Sequence, residues 1–235
     1  MLRYEKRTKQ HPAKASALPN FTVKEEAIDD ALAALALLRR ERAIDPRRVY
    51  LAGHSLGAMI APRICAADPR VAGLVLLAAP ARPITTAIVE QLQYLADADG
   101  VVTDAEKKGL EDARALMAAV GRLTAADASN AASMGGAPAS YWLDLRDYDP
   151  VGHAAKLTLP MLILQGGRDY QVTIAADFQK WRSALDGRPN VTLKSYASLN
   201  HMFIAGEGPS LPAEYMRPGH VAIEVVTDIA TWINK

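Results

Sequence analysis

The sequence predicts an α/β fold, in which a doubly wound, mostly parallel sheet carries helices on both faces. Segments of strand length alternate with segments of helical periodicity along the 235 residues, as in proteins built from strand–helix–strand units. Val71–Ala79 is continuously apolar and Leu159–Gln165 nearly so, which is typical of parallel strands buried on both faces. A Gly-x-Ser-x-Gly turn at 53–57 joins another strand to a helix.

Composition excludes several classes of function. The formal net charge of +1 argues against a nucleic-acid or anionic-membrane surface. No apolar run approaches a membrane span, and no ligand pattern or motif indicates a metal or an organic cofactor. The single cysteine, Cys65, is expected to be a buried thiol and suits a reducing compartment. With no signal peptide at the start of the sequence, these features predict a cytoplasmic location.

The first half of the chain alternates helix and strand. The Thr22–Glu25 segment has the pattern of a capping box, and an apolar stripe extends the helix that it opens to about Ala43. Asp45-Pro46 ends that helix, and Arg48–Ala52 is the predicted strand that leads into the turn. The helix after the turn, Leu56–Ala67, ends before Asp68-Pro69.

The turn itself has the pattern of a nucleophile elbow, which lifts a serine hydroxyl clear of the sheet. Ser55 is the exposed residue, and a side chain at Gly53 or Gly57 is expected to collide with a neighbouring strand or helix. The backbone N–H of Leu56 and the positive end of the helix would face a developing oxyanion. The alternative is a chance match in a loop, which the flanking strand and helix disfavour.

Residues 84–148 show helical periodicity and no strand. Thr103–Glu106 is a second capping box, and the helix that it opens extends to about Leu123. A helical insertion between two strands, close to the nucleophile, predicts a cap over the site. The hydrolase-like core is then expected at 1–83 and 149–235. A plain connecting helical hairpin is the alternative.

The second half supplies two further candidate residues. After Leu159–Gln165 come a helix at Thr173–Leu185, a strand at Val191–Tyr196 and a last helix from about His220 to Ile233. Asp169 follows the first of these strands and His201 follows the second.

A serine nucleophile needs a base, and the base needs an orienting acid. Ser55, Asp169 and His201 each lie beyond the carboxyl end of a predicted strand, where sites in parallel sheets form. Taken alone, Asp169 is equally a turn aspartate and His201 an ordinary loop histidine. Their common position with Ser55, in the order nucleophile, acid, base, favours a catalytic triad.

Four other residues are weaker candidates for the substrate pocket. His54 more readily packs beneath the nucleophile than acts as its base, because adjacent residues point apart. Tyr141, Trp142 and Tyr170 either line an acyl pocket or pack as ordinary aromatic core residues.

Three segments, Gly53–Gly57, Leu164–Val172 and Leu199–Phe203, together resemble the α/β-hydrolase superfamily. The similarity is to bacterial carboxylesterases of its dienelactone-hydrolase-like and serine-aminopeptidase-like branch, and it covers nearly the whole chain. It implies a sheet of the α/β-hydrolase type.

The resemblance also assigns roles to the candidate residues. Ser55 is implied to be the nucleophile, His201 the general base and Asp169 its partner. The backbone N–H of Leu56 is implied to be one donor of the oxyanion hole.

The sequence departs from the family pattern at its front. A family member has about three strands and a helix before this point, including a His-Gly-rich loop that supplies the second oxyanion N–H. Leu2–Arg7 is similar to the segment that ends the fourth strand. The chain is therefore expected to be N-terminally truncated and to lack one oxyanion donor. The strand Arg48–Ala52 would then lack a neighbour, which predicts a homodimer or a higher homo-oligomer.

The expected function is hydrolysis of small carboxylic esters through an acyl-enzyme intermediate, with no metal or organic cofactor. One alternative is a peptidase or thioesterase using the same triad, because a fold does not determine the substrate. Another is a truncated, weakly active or inactive hydrolase-like domain. A small-molecule ester is the expected partner, and nucleic acid and membrane are not.

Overall fold

A computed structural model of the protein describes residues 1–18, 20–98, 100–130 and 132–235. Four strands form one sheet in the order of the sequence, and every neighbouring pair is parallel. The strands are β1 (Tyr50–His54), β2 (Gly73–Leu77), β3 (Met161–Gly166) and β4 (Val191–Tyr196).

Ten α-helices and several shorter helical turns surround the sheet in the described residues. Two of the helices, Asp29–Leu38 and Gln179–Leu185, continue directly from a preceding π-helical turn, at Lys24–Ile28 and Ile174–Phe178 respectively. The α-helices are α1 (Arg7–Gln10), α2 (Pro12–Ser16), α3 (Asp29–Leu38), α4 (Leu56–Ala67), α5 (Ile84–Asp97), α6 (Asp104–Arg122), α7 (Ala139–Arg146), α8 (Pro150–Ala155), α9 (Gln179–Leu185) and α10 (Ile223–Ile233). The 3₁₀ turns are Pro46–Arg48, Ala125–Ser129 and Pro212–Met216.

The sheet is covered on both faces, as a doubly wound fold requires. Successive residues of a strand point to opposite faces, and β2 shows this directly. Leu74 and Leu76 join a core cluster with Met59 of α4 and Trp181 of α9, while Val75 joins a second cluster with α10. All three β2 side chains are buried. The apolar segments of the sequence therefore become the centre of the fold.

β1 lies at the edge of the sheet and pairs only with β2 among the described strands. It is half-buried along its length and Ala52 is exposed, whereas β3 is buried throughout. The strand that leads to Ser55 is therefore less protected than β2 and β3.

The observed strand ends differ from the expected ones for local reasons. Arg48 was expected in a strand, but the Asp45 carboxylate accepts the Arg47 N–H at 2.9 Å and holds Pro46–Arg48 in a 3₁₀ turn. The second strand ends early because Ala78 has a φ of +48°. The capping box at the start of α6 is confirmed, because Thr103 and Glu106 bond each other's backbone N–H groups.

Leu2–Arg7 is not the end of a strand in this structure. Residues 1–6 are exposed and lie outside the sheet. The charged residues that follow are held by the helical layer instead, since Arg7 forms an ion pair with Asp30 and Lys6 with Glu26. With those pairs made, the segment lies against the π turn before α3 and not along β1.

The segment between β2 and β3 is helical, with α5 and α6 packed against each other and α6 against α7. The expected cap at 84–148 spans positions 99 and 131, which lie outside the described residues. No helix in the described ranges is both long and apolar enough to cross a membrane.

Candidate active site

Ser55 lies in a strained turn at the carboxyl end of β1. Its φ of +54° and ψ of −124° are rarely adopted by a residue with a side chain. Its backbone N–H donates to the Leu77 carbonyl at 2.9 Å, which fastens the turn to β2. A Cβ added at Gly53 would lie 2.6 Å from the Gly57 carbonyl carbon. The turn therefore needs glycine at 53.

The expectation for Gly57 was wrong. A Cβ at this position has nothing within 4 Å among the described residues. Gly57 lies in the first turn of α4, on a side that no described segment covers. A steric collision therefore explains why glycine is needed at position 53 but not at position 57.

Leu56 is the first residue of α4, so its backbone N–H has no acceptor within the helix. The helix dipole adds partial positive charge at the same end. This N–H and Ser55 are adjacent in the chain. The site therefore holds one donor of the kind that stabilises an oxyanion.

Asp169 lies in the loop after β3 and is almost fully buried. Its Oδ1 accepts the backbone N–H groups of Gln171 at 2.8 Å and Val172 at 2.9 Å. Its Oδ2 accepts Gln165 Nε2 at 3.1 Å and His201 Nδ1 at 2.8 Å. Four donors hold this carboxylate in one orientation, so its direction toward the histidine is set in advance.

His201 lies in the loop after β4 and is 5% exposed. A carboxylate only accepts hydrogen bonds, so the proton of the bond to Asp169 resides on His201 Nδ1. In the neutral ring, Nε2 then carries a lone pair. This is the tautomer that a general base needs.

Ser55 and His201 are not hydrogen-bonded in this structure. Among the described residues, no hydrogen-bond partner of the Ser55 hydroxyl lies within 3.5 Å. Of the two contacts expected of the His201 ring, only the one to Asp169 is formed. Catalytic hydrogen bonds are often long in unliganded sites and shorten when the substrate binds.

His54 packs directly against the candidate base. The rings of His54 and His201 have centroids 4.6 Å apart, and His54 Nε2 donates to the His201 carbonyl at 2.8 Å. Burial lowers the pKa of His54, and the neighbouring His201 lowers it further. A neutral His54 therefore supports the backbone of the loop that carries His201.

The other three pocket candidates are engaged in packing. The Tyr141 ring stacks on Phe21, its hydroxyl donates to Glu26 at 2.7 Å, and Trp142 Nε1 donates to the Met134 carbonyl at 2.7 Å. These two residues lie on α7, and in the described part of the chain neither forms a hydrogen bond or a ring contact with the Asp169–His201 pair.

Tyr170 is closer to the pair, because it follows Asp169 directly. It stacks on Tyr94 of α5 with centroids 4.9 Å apart. Burial, and then the Tyr215 hydroxyl beside it, raise its pKa to about 12. Tyr170 therefore connects the loop of the acid to the helical segment, and its pocket role stays a prediction.

A cavity of about 460 Å³ lies between the N-terminal helices and residues 128–140. Its lining is uncharged and includes Ala15, Leu18, Phe21 and Pro138. None of the three candidate catalytic residues lines it. Phe21, which lines the cavity, stacks on the Tyr141 ring.

Sequence reasoning missed two polar residues that hold the site. Gln165 is 1% exposed, and its Nε2 donates to Asp169 and to the Val172 carbonyl at 2.7 Å. Asn200 is fully buried beside His201. The role of Gln165 could have been predicted from its position at the end of an otherwise apolar strand, because a buried amide needs hydrogen-bond partners.

Comparison with known proteins identifies the family. The sequence matches the family described as serine aminopeptidase, S33, over residues 18–208. The chain belongs to the serine aminopeptidase S33 family. The matched range of this S33-family chain includes Ser55, Asp169 and His201, the residues placed at the carboxyl ends of β1, β3 and β4.

The S33-family chain also has a curated relative over its whole length. It is 40% identical over 235 residues to esterase EstD of Thermotoga maritima. It spans about half of that relative, 53% of its length.

Solved structures show the fold alone, because their sequence identity is low. A proline iminopeptidase of Mycobacterium smegmatis matches the S33-family chain with a TM-score of 0.52 at 17% identity, over 93% of this chain and 74% of that one. An esterase of Pyrococcus furiosus matches with a TM-score of 0.50 at 14% identity, over 90% and 62%. The expected α/β-hydrolase fold is thereby confirmed.

Proposed function

We propose that the protein is a serine hydrolase that cleaves small carboxylic esters through an acyl-enzyme intermediate. The observation that carries the proposal is the 2.8 Å hydrogen bond between Asp169 and the buried His201, at the same rim of the sheet as the elbow serine. The 40% identity to an esterase supports an ester as substrate.

In the proposed mechanism the residues of the triad act in turn. His201 Nε2 takes the proton of the Ser55 hydroxyl, and the serine oxygen attacks the ester carbonyl carbon. Asp169 stabilises the imidazolium that forms. The imidazolium then gives its proton to the leaving alcohol and becomes neutral again. In the second half the neutral His201 ring takes a proton from water, which attacks the acyl-enzyme and releases the acid.

The oxyanion of each tetrahedral intermediate would be stabilised at the start of α4. The Leu56 N–H and the helix dipole supply positive charge there. Removing one donor from an oxyanion hole costs about a hundred- to a thousandfold in rate. The Leu56 N–H is therefore expected to contribute a factor of about this size to the rate.

We assign the hydrolase core to residues 1–83 and 149–235 and a helical cap to 84–148. The packing of α5 against α6, and of α6 against α7, supports a helical cap. Tyr94 links it to the site by stacking on Tyr170. Such a cap would limit the length of the acyl chain.

A peptidase is the second candidate, and the family description favours it. The same nucleophile and base would attack an aminoacyl amide, because the triad acts on the carbonyl and not on the leaving group. A thioester would be attacked in the same way.

A substrate panel distinguishes these candidates. Initial rates are measured with short-chain nitrophenyl esters, an acyl thioester and aminoacyl nitroanilides, using the wild-type chain and Ser55→Ala. Ester turnover that Ser55→Ala abolishes supports the proposal. Faster turnover of the anilides than of the esters would show that the protein is a peptidase. A wild-type rate equal to that of Ser55→Ala on every substrate would show that the domain is inactive.

We propose that the protein forms a homodimer or a higher homo-oligomer through the free side of β1. Exposed apolar residues of α10, Ile223 at 78% and Val226 at 48%, lie in a stripe with Ala230 and Ile233. Ile233 accepts a hydrogen bond from the Tyr50 hydroxyl of β1. The end of α10 therefore contacts β1, and a second copy would cover both the stripe and the free strand edge.

We retain the cytoplasm as the proposed location. The support is Cys65, which is buried in α4 with its pKa raised to about 12 by burial. A thiol of this kind is protected and stays reduced without forming a disulfide.

A further inference from the structure

A segment after the His201 loop contacts both loops that carry the candidate acid and base. We call residues 207–216 the strap. Its central residue, Glu214, lies in the 3₁₀ turn Pro212–Met216, and its side chain is 25% exposed. No role in the mechanism above is assigned to it.

On one side, Glu214 holds the loop of the acid through Arg168. The Arg168 guanidinium forms an ion pair with the Glu214 carboxylate, and its side chain is 9% exposed. The guanidinium also donates to two strap carbonyls, Gly208 at 2.8 Å and Glu207 at 3.0 Å. Arg168 directly precedes Asp169. The acid-bearing loop is therefore fixed to the strap by at least four hydrogen bonds.

On the other side, Glu214 holds the loop of the base through Asn200. The Asn200 amide nitrogen donates to Glu214 Oε2 at 2.9 Å. Its amide oxygen accepts the backbone N–H groups of Met202 at 3.0 Å and Ile204 at 3.1 Å. The Asn200 side chain thus closes the turn that contains His201, and Glu214 determines which way that side chain points.

Side-chain donors of Arg168, Asn200 and Ser210 all face the Glu214 carboxylate. Burial tends to raise the pKa of Glu214, but the hydrogen bonds from Arg168, Asn200 and Ser210 lower it below the usual value. Glu214 is therefore a carboxylate at neutral pH. Asn200 is fully buried, so loss of Glu214 would leave its N–H groups without a partner, which is costly.

We infer that Glu214 is a positioning residue, which sets the distance between Asp169 and His201 by clamping both loops. The inference rests on the proposed function for its catalytic consequence. It does not rest on it for its structural consequence, because the Asp169–His201 hydrogen bond exists without substrate.

The test compares Glu214→Gln with Glu207→Gln. Glutamine has nearly the same shape as glutamate, but only one of its two terminal atoms accepts hydrogen bonds. Glu214→Gln therefore keeps the size of the side chain and removes acceptors for Arg168, Asn200 and Ser210. Glu207→Gln removes the same charge from the same strap, and the Glu207 side chain is exposed. Glu214→Asp, which keeps the charge but withdraws it by one carbon, is the second variant if Glu214→Gln does not fold.

Two readouts separate this inference from the proposed function. The first is the downfield proton resonance of His201 Nδ1, which reports the bond to Asp169 whether or not the chain is active. We expect it to shift or broaden in Glu214→Gln and to match wild type in Glu207→Gln. The second is steady-state ester hydrolysis, where we expect kcat to fall by up to about a hundredfold at unchanged KM, the loss that a displacement of about 1 Å produces.

An unchanged resonance in Glu214→Gln, or in Glu214→Asp if only that variant folds, overturns the inference. So does a shift of equal size in Glu207→Gln. A shifted resonance in a chain that hydrolyses no ester supports the positioning role and refutes the proposed function. A lowered melting temperature with unchanged resonance and unchanged kcat shows that Glu214 is only structural.

Discussion

Ser55 occupies a strained backbone conformation, and the two flanking glycines, Gly53 and Gly57, contribute differently to the turn. A methyl group at Gly53 would overlap the first turn of α4, whereas one at Gly57 would meet open space. We expect Gly53→Ala to lose about 2 kcal/mol or more of unfolding free energy. Gly57→Ala, at a helical position, is expected to change it by less than about 1 kcal/mol.

Urea unfolding of both variants measures this difference. Gly57→Ala is the matched control, because it introduces the same methyl group four residues away. Equal losses in the two variants would show that the collision at Gly53 does not determine the shape of the elbow.

His54 makes the stability of the fold depend on pH. Burial, and then His201, lower its pKa in the folded state, against a weaker opposing effect of the His201 carbonyl and of Asp169. The unfolded chain, with a histidine pKa of about 6.5, binds the proton more readily. Stability is therefore lost as the pH falls through about 6.5 toward the lower folded value.

The unfolding free energy of wild type and His54→Gln, measured between about pH 7 and about pH 5, tests this. Glutamine can still donate to the His201 carbonyl but does not titrate. We expect a shallower decline in the variant. An identical slope would assign the acid sensitivity to other groups.

At the residue scale, the sequence predicted which side chains lie at the rim but not how they are held. Ser55, Asp169 and His201 were found from their positions after strands. The support of Asp169 by Gln165 and by two backbone N–H groups depends on loop conformation, which no local pattern determines. Glu214 likewise joins Asn200 and Arg168, which lie 14 and 46 positions before it.

At the scale of elements, a buried carboxylate joins the sheet to the helical segment. Asp177, in the π turn before α9, is fully buried and accepts the N–H groups of Ala81 at 2.8 Å, Arg82 at 3.2 Å and Thr173 at 3.0 Å. It also pairs with the buried Arg82 guanidinium at 3.4 Å. Asp177 thus ties the connection after β2 to the connection after β3.

Asp177→Ala is expected to destabilise the protein by about 3 kcal/mol, because it removes the acceptor of three backbone N–H groups. Arg82 loses one of its two charge partners and keeps Glu90. Chemical denaturation measures the loss. Asp186→Ala, at an exposed position beyond α9, is the control and should change stability little. A comparable effect of the two substitutions would contradict the account of this link.

Elements whose periodicity is strong were predicted well, and those that depend on neighbours were not. β4 has the expected bounds, Val191–Tyr196. The segment Leu2–Arg7 did not form a strand, because a strand requires a partner ladder and its charged residues found helical partners instead. Pairing is not a local property, so sequence similarity alone placed this segment wrongly.

At the scale of the whole molecule, the free side of β1 and the apolar stripe of α10 predict self-association. Size-exclusion chromatography with light scattering is expected to give at least twice the chain mass of 25.3 kDa. Ile223→Glu should shift the equilibrium to monomer. Leu37→Glu, at a 51% exposed position on α3, is the control. A clean wild-type monomer at micromolar concentration would show that no second copy covers this surface.

The central proposal is that the Asp169–His201 pair activates Ser55 as a nucleophile. Labelling with a fluorophosphonate, followed by intact-mass analysis and peptide mapping, tests this most directly. It needs no knowledge of the natural ester. The account predicts one adduct per chain on Ser55, none in Ser55→Ala, and much slower labelling in His201→Ala. No adduct in the folded wild-type chain, or an adduct on another residue, would contradict it.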